Sequence, residues 1–534
     1  MSRINASGGK YATLFFGCVI FHAIGTWALP LIDRDEPRFA EASREMIERG
    51  DYVVPYFNNH LRLDKPPLAY WAQVASYRIF GESDFSARFP SGIAAALTAL
   101  VIFAWGRRFD GTGVGWRAAI IFTLSLQLFL HAKAAVADMW LVLFMTLAHW
   151  SGYELLVVST RTAAHQMPAR LGPVAPCHKT RWWLTFYLSL ALGFLAKGPI
   201  AWIPLLTVAA IIILARNLQL ARPFKFALGI PVVLVVVALW GIPALVQTHG
   251  EFFAVGIGRH VIGRSFKTME GHGAGSLVMY LLLLPFYFVT VFPSFFPWSI
   301  KLPWLTTKLW RRRDNIDNYL LAGIAIVFII FTLVSTKLPH YTLPAFPLLA
   351  LLLARHWRSA GLETAGSGIL PNISTAPSSV RQDAKHYDPE TGARRLDHRR
   401  SWFGTIAITV ACVWIAIALV VPSLVTPFFF PAYQLFQESR AQLQPNMQFA
   451  TVGFEEPSLV WYFRARVRGF LTPLNKKSAV EFMLKPGARF IVMQTPLTGT
   501  LFPNPPPNWK FFSTRGLNIA KGKRVELTLV LKPQ

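Results

Sequence analysis

Acidic residues are scarce in this 534-residue chain: Asp and Glu number 27 against 53 Lys and Arg. The four charged types together make 15% of the residues, well under the roughly 25% of soluble domains. With 53% hydrophobic residues, that shortage excludes an ordinary soluble globular protein and points to a polytopic helical membrane protein. Cysteine is nearly missing, and Cys18, Cys177 and Cys412 have no metal or disulfide spacing, so they read as packing or surface residues. Internal repeats are missing too, which argues against a transporter built from related halves. The fragments "GTGVGW" and "GHGAG" lack the strand-to-helix setting of a nucleotide site, so no nucleotide cofactor is expected.

What the chain does have is apolar runs of spanning length or close to it. They fall near 11–31, 88–106, 117–132, 137–158, 182–196, 199–215, 226–246, 276–299, 319–336, 341–355 and 402–421. The first follows Arg3 and Lys10 but shows no small-x-small cleavage site ahead of Asp33, so it reads as a retained helix rather than a signal peptide. About 11–13 transmembrane helices are expected. With the N-terminus in the cytoplasm, the inner loops hold Arg107, Arg108, Arg117, Arg216, Arg222, Lys225, "RRR" at 311–313 and the basic segment 357–401. Most of the net charge of +26 is then an orientation signal toward membrane lipids, and nucleic acid is not an expected partner. The same alternation places 32–85, "HAKAAVAD", "AKGP", 247–275 and "TKLPHY" together on the outer face. After about residue 435, short strand-like runs such as "FATVGF" and "RVELTLVLK" predict a small outer α/β domain. The expected division is 1–434, with an interfacial loop at 32–85 and a cytoplasmic linker at 357–401, followed by 435–534.

The outer loops carry the chemistry. Between Pro37 and Arg49 the residues Phe39, Ala42, Met46 and Ile47 recur at helical spacing, with Gly50 as a stop, which predicts an amphipathic interfacial helix. Asp35 stands at its start, either as a cap worth about 1 kcal/mol or as a carboxylate for acid–base or orienting work, and the two roles are compatible. Lys65, between Asp64 and the stiff Pro66-Pro67 pair, suits a phosphate or an ion pair with Asp64. Asp138 opens a helix after Lys133, and alone it is as readily a cap as a functional group. Lys197 joins two apolar segments, and the 247–275 loop supplies Arg259, His260, Arg264 and Lys267 for an anionic ligand or lipid headgroups. "TKLPHYTLP" adds Lys337, His340 and Tyr341. A few carboxylates among many cations suit a phosphate leaving group.

The stretches "DRDEPRFAEASREMIERGDYVVPYFNNHLRLDKPPLAYW", "ARFPS", "AKGP" and "KLPHYTLPAFPLLALLLAR" resemble the bacterial lipid A 4-amino-4-deoxy-L-arabinose transferases. These are polyprenyl-phosphate-dependent glycosyltransferases, with protein O-mannosyltransferases as distant relatives. The resemblance covers nearly all of the membrane part and implies a GT-C fold in the bacterial inner membrane with a cavity at the periplasmic face. It implies a sugar donor on undecaprenyl phosphate, lipid A as acceptor, and inversion at the anomeric carbon. Carried over by motif, Asp35 is the expected catalytic acidic residue with Arg38 beside it, and Asp138 is a second catalytic carboxylate. Lys65, Arg264 and Tyr341 match donor-phosphate positions, with Lys197 added. Asp64 and His260 match places where relatives hold a divalent metal, Zn or Mg, although the first is Asp where Glu is usual. A transferase of another sugar or acceptor, of the lipopolysaccharide core or protein O-mannosyl type, is the alternative within enzymes. A lipid or glycan flippase is the alternative outside them.

Overall fold

The computed structural model describes residues 2–163, 176–256, 258, 276–357 and 389–533. Most of the expected 357–401 linker therefore lies outside the described residues, as do Arg259, His260, Arg264 and Lys267.

The chain begins as a bundle of apolar helices. Among the described residues, five are long and apolar enough to cross a membrane: Asp84–Asp110, Asp138–Val157, Phe226–Gln247, Asn315–Leu333 and Trp402–Phe429. A sixth apolar helix, Pro199–Leu214, is shorter. Proline explains where runs that look continuous in the sequence are broken. The 276–299 run becomes Leu277–Leu282, Phe286–Ser294 and a 3-10 turn at Trp298–Lys301, with Pro285 and Pro297 at the breaks and Pro293 in the last turn of the second helix. Each proline removes a donor from the helical ladder. Trp105, Tyr187, Tyr287, Tyr319 and Phe346 are fully buried at the centre of the bundle, while Leu228, Val235 and Leu239 of Phe226–Gln247 are exposed. An apolar outside is stable only against lipid.

The predicted amphipathic helix is present as Asp35–Arg49, and Gly50 ends it in the left-handed conformation at φ 67°. Phe39, Ala42 and Met46 pack on Ala69, Tyr70 and Ala137. Much of its polar face is withdrawn from solvent: Glu41, Arg44 and Glu45 are also buried, because the end of the chain covers them, while Asp35, Glu48 and Arg49 stay exposed.

After a short hairpin of β1 (Tyr56–Phe57) with β2 (His60–Leu61), that end folds around five strands, β3 (Gln448–Val452), β4 (Thr472–Pro473), β5 (Arg489–Gln494), β6 (Lys510–Asn518) and β7 (Lys523–Lys532). They form one sheet of order β4-β3-β5-β7-β6. β3 runs parallel to β4 and β5, and β7 runs antiparallel to β5 and β6. Strand alternation sends Phe449, Phe490, Val492, Leu527 and Leu529 to one face and Ala450, Ile491, Met493 and Val530 to the other. Helices cover both faces. Pro431–Ser439, which begins ahead of the expected boundary, packs on β6 and β7.

Pro457–Arg464 from this domain lies against Asp35–Arg49. Arg464 donates to Glu41 and, at 2.6 Å, to Glu48. Arg44 donates to Glu41 at 2.6 Å, to Glu82 at 2.7 Å and to the Trp461 carbonyl at 3.0 Å, and stacks 3.9 Å over the Trp461 ring. Asp84 accepts from Trp461 Nε1 at 2.7 Å and Tyr462 Oη at 3.0 Å. Asp33 accepts from the Ser458 N–H at 2.9 Å and its hydroxyl at 2.5 Å. Burying these charges is tolerable only because each finds a partner.

Candidate active site

Two helices bring the first pair of site residues together. Asp138 is the first residue of Asp138–Ala163, and Lys197 is the last of Pro176–Lys197, which packs alongside it. A carboxylate at a helix N-terminus and an ammonium at a C-terminus each complement the helix dipole. Here they also meet, with Lys197 Nζ 2.5 Å from Asp138 Oδ1. Gly198, at φ 81°, then turns the chain into Pro199–Trp202. Lys197 Nζ also stands 5.9 Å from the centre of the Tyr341 ring.

The pair borders a cavity of about 880 Å³. Its polar lining comes from Asp64, Lys65, Asp138, Lys197, His340 and Tyr341, and the rest of the wall is mostly Leu, Ile, Val, Phe and Trp. Four segments far apart in sequence contribute these groups. Cations and a phenol at an apolar cavity suit an amphiphile that combines a phosphate with a hydrocarbon chain. Asp64, Lys65, Asp138, Lys197 and Tyr341 are thus brought together as the sequence reading grouped them. His340 joins them, and His131 lies against it with ring centres 4.9 Å apart. Sequence reasoning passed over His131. The signal was its place at the head of "HAKAAVAD", seven residues before Asp138.

Asp35 and Glu36 are adjacent but live in different surroundings. Glu36 is 5% exposed and accepts four hydrogen bonds. Oε1 takes Arg88 Nε at 2.9 Å and the Ala135 N–H at 2.7 Å; Oε2 takes Arg88 Nη2 at 2.7 Å and the Ile32 N–H at 2.7 Å. This clamp is what "DEPR" and "ARFPS" share. Asp35 is exposed, and the helix has no side-chain cap, so the capping role does not appear. The Asp35 charge bears instead on Arg62 and Tyr70. Arg62 donates to Tyr70 Oη at 2.8 Å and pairs with Asp64 at 3.3 Å, fixing the turn that carries Lys65. Asp35 itself is not part of the cavity lining. Arg38 is half-buried and its charge bears on Asp33. Burial pushes the Asp33 carboxyl up to about 7, against the opposing pull of Ser458 and Arg38.

Two lysines from the outer loops have structural tasks. Lys133 Nζ donates to the carbonyls of Phe21 at 3.0 Å, His22 at 2.9 Å and Ile24 at 2.5 Å, closing the end of the first helix. Lys337 Nζ does the same at Phe331 and Thr332, at 3.0 and 2.5 Å. Of the two residues expected to hold a metal, Asp64 pairs with a guanidinium and His260 lies outside the described residues.

Residues 64–162 match the dolichyl-phosphate-mannose-protein mannosyltransferase family. The undecaprenyl phosphate-alpha-4-amino-4-deoxy-L-arabinose arabinosyl transferase of Yersinia pestis is 30% identical over 366 residues, 67% of this chain and 60% of that one. Its counterpart from Serratia proteamaculans is 29% identical over 373 residues, 66% and 60% of the two chains. The chain thus matches about 60% of the length of these curated relatives. The crystal structure of ArnT from Cupriavidus metallidurans bound to undecaprenyl phosphate superposes with a TM-score of 0.73 at 18% identity, covering 98% of this chain and 99% of that one. The apo form gives 0.70 at 19% identity, with 99% and 100% covered. The resemblance read from the sequence is borne out, and the fold is a multi-pass GT-C membrane fold with a C-terminal sheet domain.

Proposed function

We propose that this protein, similar in sequence to the aminoarabinose transferases and alike in fold to ArnT, is a glycosyltransferase that takes its sugar from a polyprenyl phosphate. The supporting observation is the apolar cavity of about 880 Å³ with Lys65, Lys197 and Tyr341 in its wall. Such a wall accommodates an isoprenoid chain while its cations meet the phosphate. We place the cavity, and the domain at 435–534, on the periplasmic side of the bacterial inner membrane. Residues 1–434 carry the transferase, and the sheet domain braces the helix that carries Asp35.

The donor phosphate is the leaving group. An oxygen of the acceptor attacks the anomeric carbon from the face opposite the phosphate, and the bond from that carbon to the phosphate oxygen breaks. The electron pair moves onto the phosphate, where Lys65 and Arg264 balance the charge and Tyr341 donates a hydrogen bond. The configuration inverts. Lys197 and Asp138 hold each other in place beside this centre. Asp35 orients the acceptor, and where the acceptor is a hydroxyl it takes the proton. The preferred sugar is 4-amino-4-deoxy-L-arabinose, the sugar in the relatives' names, and the preferred acceptor is a lipid A phosphate.

Mass spectrometry of lipid A and other envelope glycans, from cells with and without the gene, tests this reading. A pentosamine on lipid A phosphate is the expected result. Another sugar, or a change confined to another glycan, overturns the assigned substrate pair and makes Asp35 a general base. No change in any envelope glycan overturns the transferase.

A further inference from the structure

Outside the phosphate-facing cations, one cluster has the makings of a cation site. One ligand atom each from His131, Asp138 and His340 lies within 4.8 Å of the other two. Cis ligands of a tetrahedral ion with bonds near 2.05 Å are roughly 3.3 Å apart, so closure asks each atom to move by less than about 1 Å.

The surroundings suit ligation. His131 Nδ1 lies 2.9 Å from the Gln127 side-chain amide nitrogen and 3.1 Å from the Gln127 main-chain carbonyl. Ser294 donates to Gln127 Oε1 at 3.2 Å, which turns the Gln127 NH₂ toward Nδ1. The ring is thus held by Nδ1, and an ion binds at Nε2 with release of its proton. Lys197 occupies Oδ1 of Asp138 and leaves the second carboxylate oxygen available. Asp138 and His340 also line the cavity. Three protein ligands, two of them in the cavity wall, leave a position open, as in catalytic rather than structural sites.

We propose that His131, Asp138 and His340 bind a divalent transition-metal ion, with zinc the best match to two imidazoles and one carboxylate. The site is separate from the Asp64–His260 pair suggested by the family resemblance. Metal binding stands on this geometry alone; its position beside the donor phosphate rests on the function proposed above.

The experiment uses the full chain without a histidine tag, purified in detergent, stripped with chelator and reloaded with Zn²⁺. Bound metal is counted by plasma mass spectrometry, and zinc-edge X-ray absorption counts imidazoles. One ion per chain with two imidazole ligands is expected. His131→Gln and His340→Gln are expected to weaken binding by more than the roughly 10–100-fold typical of merely orienting partners, while Asp64→Asn retains it. No bound ion, fewer than two imidazoles on the wild-type protein, or loss in Asp64→Asn with retention in His131→Gln overturns the site. The absorption measurement needs no variant, so a variant that fails to fold does not shelter the proposal. An ion that binds while no sugar is transferred separates this inference from the functional one.

Discussion

Asp35 and Glu36 differ by one methylene and one position, yet substituting each for its amide should have opposite consequences. Glu36→Gln keeps an oxygen that can still accept from Arg88 Nε and Ala135 N. Its new NH₂ then faces two other donors, Arg88 Nη2 and the Ile32 N–H, both at 2.7 Å from the present oxygen. Two hydrogen bonds to a charged acceptor are lost, at about 1.5–3 kcal/mol each, or 3–6 kcal/mol together. The figure agrees with the approximate 3–5 kcal/mol for breaking a buried ion pair by removing one partner, since Arg88 at 2% exposure stays charged. Asp35→Asn removes a charge from an exposed side chain and should leave stability unchanged while cutting transfer by roughly 10²–10⁴ if the acceptor proton goes to it. Both variants, solubilised in detergent, would be heated and followed by fluorescence-detected gel filtration. Glu36→Gln should lose yield and its melting midpoint should fall by several degrees, with Asp35→Asn melting as wild type. A Glu36→Gln protein as stable as wild type would refute the clamp.

Three further outcomes follow from the same contacts. Lys197→Met strips Asp138 of the ion pair at 2.5 Å, and transfer should fall about 10²-fold or more, with the Asp138→Asn/Lys197→Met double variant no worse than the poorer single one; additive losses would show that the two act separately. Arg464→Met leaves Glu41 with Arg44 alone and frees Glu48, so limited proteolysis should cut between the membrane part and the sheet domain sooner than in wild type. Asp33 gives a pH dependence: a carboxyl raised from 3.8 to about 7 contributes stability that is full below pH 3.8 and lost as pH rises through about 7. Protease resistance of the docked domain should fall as pH rises from about 4 to about 7 and level off above that, and Asp33→Asn should flatten that profile.

Much of this was legible because it is local. Phe39, Ala42 and Met46 announce one helix face, Gly50 its end, and the strand-like run "RVELTLVLK" a strand. Membrane motifs found Lys65, Asp138, Lys197 and Tyr341 because each sits at the mouth of an apolar run, where a charge needs a reason. What was illegible depends on partners distant in sequence. Nothing near Glu36 says that Arg88 will claim it, and nothing in "HAKAAVAD" says that Lys133 turns back to cap the first helix. The polar face of Asp35–Arg49 looked solvated because the residues that bury it stand more than 400 positions later. His131 was missed for the same reason, since its neighbour His340 stands more than 200 positions later in the chain.

The pairing of the second helix with the chain's last domain also sets a schedule for assembly. Arg44 meets Trp461 across 417 residues, Glu41 meets Arg464 across 423 and Asp33 meets Ser458 across 425. At 5–20 residues per second, synthesis of the intervening chain takes roughly 20–80 s. For that interval Glu41, Glu45 and Glu48 are without Arg464, though Arg44 already stands beside Glu41. Glu45 keeps Arg49 as a partner in the meantime, whereas Glu48 waits for Arg464. A ribosome stalled ahead of Pro457 leaves these carboxylates without Arg464, and the Asp35 segment is completed only by a finished chain.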